Sequence, residues 1–161
     1  MGYTLQIGEL ETSMHSGDYL EIEEMNSFRQ EVVSISHDDA PTFGESTDCM
    51  NSRWPSYTSW AIFYRFFDLE ELFHDEDYGL LRQHPGCVPI TQFHKSIIDD
   101  AYEKYKKNYP NSTPGYSGKQ LDDVEDDDWP EENSLGARLV WLKYWVDWAL
   151  KNCEVPAFYN S

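Results

Sequence analysis

NSLGARLVWLKYWVDWALKNC, residues 133–153, carries two apolar stripes at helical spacing. At about 100° per residue, Leu135, Leu139, Leu142, Val146 and Ala149 line one stripe. Trp141, Trp145 and Trp148 line a second beside it. Ser134 is placed to cap such a helix, so the pattern predicts a core helix over about 135–152. Arg138 projects into the seam between the stripes. A buried guanidinium has to be answered by a partner, because leaving it unpaired is costly.

Two further helices are expected upstream. RWPSYTSWAIFYRFFDLEELF (53–73) has Pro55 where a first helical turn tolerates it. Trp60, Phe63, Tyr64 and Phe67 share one face, and Ile62, Phe66, Leu69 and Phe73 another. A helix apolar over so wide an arc is buried on several sides. It is predicted over about 55–73, with Asp68 a candidate break into a short second helix. Thr91 reads as the N-cap of a helix over about 91–109, buried through His94, Ile97, Ile98, Ala101 and Tyr105. YTLQIG (3–8), YLEIEE (19–24) and EVVSIS (31–36) alternate as strands do. HDEDYG (74–79) reads as a turn, LLRQHPGCVPI (80–90) as irregular chain, and 110–134 as an acidic surface loop. The tail, 154–161, is apolar enough to dock on the body. The expected class is α+β. A small N-terminal antiparallel sheet of two or three strands packs with three main helices in a single domain, 1–161.

Composition narrows the function. The 161 residues carry a formal charge of −18, and aromatics make up 16%. A surface this acidic repels phosphate backbones, which argues against direct nucleic-acid binding and leaves room for a basic protein partner. LDDVEDDDWPEE (121–132) alone holds eight acids, and the rest of the chain is still at −10. No apolar run reaches the roughly 20 residues of a membrane span, and the start lacks the features of a signal peptide. Three scattered cysteines, Cys49, Cys87 and Cys153, suit a reducing compartment. A soluble protein of the cytoplasm is expected.

The blocks NSRWPSYTSWAIF, HPGCVPIT and ARLVWLKYWVDWALKNCEVPAFYNS resemble a family of small tailed-bacteriophage proteins that carry them in this order. The resemblance implies a viral source, the cytoplasm of an infected host and an accessory role. It implies no catalytic residues.

Three constellations are candidates for chemistry. Arg138 beside Trp141 and Trp145 reads either as an arginine stacked on indoles and paired with a carboxylate, or as an anion site with aromatic walls. Arg53, Ser56 and Tyr57 gather donors at a helix start, which suits an anion or plain capping. His84 can donate to a ligand next to Arg82. His84 and Cys87 have a metal-like gap but too few companions for a zinc site. No metal or cofactor is expected. His94 reads first as a satisfied core histidine.

These residues suggest a protein that binds a small anionic ligand, a nucleotide or cyclic nucleotide, and sequesters it as a host immune signal. An alternative is an acidic interaction protein that mimics nucleic acid at a basic host site. A second alternative is a nucleotide hydrolase or transferase using His84, His94 and Tyr57. No catalytic constellation is visible, so binding ranks above catalysis. Surplus aromatics also leave room for a homo-oligomer.

Overall fold

A computed structural model describes residues 5–14, 28–33, 40–41, 57–82, 86–114 and 131–160. Eight elements follow in chain order: β1 (Leu5–Met14), β2 (Phe28–Val33), α1 (Tyr57–Phe66), α2 (Glu70–His74), β3 (Gly86–Pro89), α3 (Gln92–Asn108), α4 (Glu131–Asn152) and β4 (Pro156–Asn160). The class is α+β, as the sequence predicts. The expected strand over 19–24 lies outside the described residues.

The sheet differs from the expected N-terminal one. Among the described residues it has four strands in the order β2-β1-β4-β3, all antiparallel neighbours. Two of them come from stretches read as irregular chain and as a docking tail. β4 lies in the middle, pairing Ile7 with Phe158 on one side and Val88 with Phe158 on the other. Leu5, Ile7, Val88 and Phe158 belong to the main core with the helices. Val32, Cys87 and Ala157 form a smaller apolar cluster with Leu10 and Tyr159. The pleat sends alternate residues to opposite faces, which separates the two clusters.

The helical region expected over 55–73 is two helices, a longer and a short one, with the break at Asp68 as the sequence suggests. Asp68 adopts a left-handed backbone, with φ 54°. The Leu69 N–H donates to the Tyr64 carbonyl at 2.7 Å, and the Asp68 N–H to that of Arg65 at 3.4 Å. This is a Schellman-type ending, with aspartate where glycine is usual. The turn leaves Ile62 exposed, against the expected second apolar face.

α4 starts at Glu131, ahead of the expected Ser134 cap, so 131–134 are helix and the rest of the acidic run lies outside the described residues. Asn133 is buried in that first turn. Its side-chain oxygen accepts from the Ser112 hydroxyl at 2.6 Å and from the Thr113 N–H at 3.0 Å. Tyr105 and Ser112 share a further hydroxyl contact of 2.5 Å. Gly136 lets α3 come this close, since a Cβ there would meet the Tyr105 hydroxyl at 2.2 Å.

A closed ring of ion pairs also joins α3 to α4. Lys95 reaches Asp99 and Asp147 at 2.9 and 2.7 Å, and Lys143 reaches the same two carboxylates at 2.7 and 2.8 Å. Partial burial pushes the Asp99 carboxyl up, but hydrogen bonds from Lys143 and Lys95 outweigh it and hold it below the usual carboxylate range. Among the described residues, no helix is long and apolar enough to cross a membrane.

Candidate functional site

The turn between α2 and β3 is built by short hydrogen bonds. The Asp75 carboxylate accepts from the Asp77 N–H at 2.9 Å and from the Tyr78 N–H at 2.8 Å, an Asx-type turn. The chain then folds back, with Leu80 and Leu81 donating to the Leu72 and Phe73 carbonyls, each at 3.0 Å. Gly79 is required at this closure, because a Cβ would stand 2.6 Å from the Asp75 carbonyl oxygen. Asn160, buried on β4, donates to the Leu80 carbonyl at 2.7 Å and fastens the turn to the sheet.

His94 fixes the same turn to α3. It is fully buried at the third position of the helix. The Thr91 N–H donates to its Nδ1 at 2.9 Å, the reciprocal half of a capping box. Its Nε2 lies 2.6 Å from the Tyr78 carbonyl and so carries the proton. Burial pushes the imidazole pKa below its ordinary value, against the opposing pull of the Tyr78 carbonyl and Asp75. With both ring nitrogens engaged in the scaffold, His94 has none left for acid–base chemistry.

A cavity of about 310 Å³ opens beside this scaffold, lined by Asp77, Tyr78, Arg82, Cys87, Val88, Pro89 and Thr91. Tyr78 is 45% exposed although its backbone is held at both ends. Its ring lies 5.1 Å from that of Phe93. Arg82 donates to the Asp77 carbonyl at 2.6 Å, which orients the guanidinium. It pairs with no carboxylate among the described residues, although acids crowd this part of the chain. Burial pushes the Cys87 thiol pKa up, so it stays protonated and is a poor nucleophile. The chemistry on offer is an aromatic face, an oriented cation, a hydroxyl and an apolar floor.

Of the residues singled out from sequence, Arg138, Trp141 and Trp145 fall elsewhere. α4 brings Arg138, Trp141 and Trp145 together inside the protein. Both indoles are fully buried in the main core, and Arg138 is 5% exposed. All three have partners there. Trp145 meets the rings of Tyr144 and Trp148 edge-on at 5.1 and 5.5 Å. Arg53, Ser56 and His84 lie outside the described residues, and so does the side chain of Tyr57, the first residue of α1. Arg82, noted in sequence as a neighbour of His84, is among the residues that line the cavity. Tyr78, Thr91 and the strand residues were not legible as site residues, because a turn, a strand edge and a helix start converge only in three dimensions. Among the described residues, no cluster of three or more His, Cys, Asp or Glu is arranged to hold a metal. Neither a protein-family model, nor a curated protein, nor a solved structure matches the chain, and the site is therefore read from its own geometry.

Proposed function

We propose that this chain is a non-catalytic binding protein. It holds a small anionic, ring-bearing molecule of the nucleotide class in the cavity between the 75–82 turn and β3. The observation that carries this reading is the Arg82 guanidinium, oriented by a backbone carbonyl and bridged to no described carboxylate, beside the exposed Tyr78 ring. Guanidinium recognises phosphate and carboxylate through paired N–H groups, and a phenol ring offers a face for a planar heterocycle. The amino end of α3, capped at Thr91, adds the favourable end of a helix dipole.

Size and charge narrow the class. Ligand pockets run from roughly 300 to 1,000 Å³, so this one is at the small end and suits a mononucleotide better than a cyclic dinucleotide. Asp77 at the rim and the −18 net charge disfavour polyphosphates. The likeness of three sequence blocks to tailed-phage proteins supplies a setting, in which a phage accessory protein sequesters a nucleotide-type host immune signal.

Calorimetric titration of nucleoside monophosphates and their 3′,5′-cyclic forms tests the reading. One or a few should bind the wild type. Arg82→Met should fold normally, since Arg82 is exposed, and bind about ten- to a hundredfold more weakly, as loss of a charged hydrogen bond predicts. Absence of binding across the panel, or equal binding by Arg82→Met, overturns the proposal.

A further inference from the structure

Among the described residues β3 is an edge strand, and the ladder register shows what its outer edge offers. The Ile90 N–H donates to the Pro156 carbonyl at 2.8 Å, so Ile90 faces β4. Hydrogen bonding alternates along an antiparallel strand, so Val88 and Gly86, paired with Phe158 and Asn160, also face β4. Cys87 and Pro89 therefore direct their backbone groups away from the sheet. Of the two, Cys87 alone has an N–H to offer. Pro89 has none, and neither does Pro85, two residues before Cys87 in the sequence.

This arrangement leaves the edge with one donor, the Cys87 N–H, and the Cys87 and Pro89 carbonyls as acceptors. An added peptide strand would want a donor at every second residue, and two residues after Cys87 it would find Pro89. One N–H beside one C=O suits a small molecule instead. The Cys87 thiol packs with Val32 and Ala157, which leaves the strand backbone as what Cys87 brings to the cavity. Tyr78 and Arg82 line the same cavity.

We infer that the Cys87 N–H and C=O read the ligand, the N–H donating to and the C=O accepting from the amide-like edge of a heterocycle with adjacent donor and acceptor groups, such as a uracil or adenine. This rests on the binding reading above and deepens it by naming the recognised edge. The ring lies against Tyr78 while its anionic group meets Arg82. The bond pattern selects bases by their hydrogen-bonding edge, whereas Arg82 alone would take any small anion.

The test uses the full chain and two pairs of probes: uridine monophosphate with its N3-methyl form, and adenosine monophosphate with its N6,N6-dimethyl form. Inorganic phosphate is the control. Whichever parent binds, its methylated partner should bind at least about tenfold more weakly. The Cys87 amide proton should move downfield with the parent and stay in place with phosphate. If the methylated form binds equally and the Cys87 amide does not move, while Arg82→Met still abolishes binding, the edge inference is wrong and the binding site stands. If no probe binds, both fall.

Discussion

At the residue scale, the informative positions are those where one side chain does two structural jobs. His94 receives a hydrogen bond at one ring nitrogen and gives one at the other, so a second ring proton would meet the Thr91 N–H head-on. Its pKa is lowered on folding, so the unfolded chain binds the extra proton more readily. The stability this residue contributes is therefore full above the unfolded value of about 6.5 and is lost as pH falls through the lower folded value. His94→Gln keeps a capping-box side chain at this position and removes the titration. Urea unfolding followed from pH 7.5 down to 5 should show the wild type losing stability more steeply than the variant; parallel profiles would deny His94 this role. The sequence shows His94 as a core residue at the third helical position, and the structure agrees. Its grip on the Tyr78 carbonyl was beyond sequence reading, because a bond to a residue sixteen positions away depends on how the turn folds back.

At the scale of elements, helices were legible and short strands were not. The periods of α1, α3 and α4 are carried by many large apolar residues, and the Thr91 cap lies where its residue type suggests. β3 is four residues long and contains Gly86 and Pro89, both of which read as turn signals. Only the alternation of Val88 and Ile90 hinted at it. The first turn of α4 was masked in another way. Pro130 followed by Glu131 and Glu132 is a good helix start, but the surrounding acids made it read as loop. The ion-pair ring between α3 and α4 is the testable device at this scale. Its side chains are about one-third exposed, so screening by water keeps its worth small. Lys143→Met should cost roughly 1 kcal/mol in low salt and less in about 1 M salt, measured by chemical denaturation. A cost that does not change with salt would mean that packing rather than charge is at stake. Because Asp99 is held below its ordinary range, the ring's contribution is complete above about pH 4 and fades as pH drops through the folded value.

For the whole molecule, α4 is the central support, buried along nearly its full length from Asn133 to Ala149. The sheet closes over the core only when β4 is inserted between β1 and β3. Ending the chain after Glu154 removes β4 and leaves Ile7, Val88 and the Leu80 carbonyl without their partners. Such a variant should lose dispersed amide signals in its NMR spectrum; a well-dispersed spectrum would show that β4 is dispensable. The candidate cavity belongs to this scale as well. Its walls come from the α2–β3 turn, the β3 edge and the start of α3, and none is a recognisable motif alone. Sequence reading weighted Arg138 because its helical neighbours are tryptophans, and the period places all three on the buried arc of α4.

The position of β4 also governs the order of events during synthesis. β1 leaves the ribosome early, yet its partner at residues 156–160 is made about 150 residues later. Until then, one flank of β1 has no mate, and the apolar side of the half-built sheet has no complete cover. Closing so long a loop is entropically slow, so the sheet forms late and the helices are free to form first. A nascent chain stalled before Pro156 would therefore be a target for chaperones, which bind exposed apolar strands.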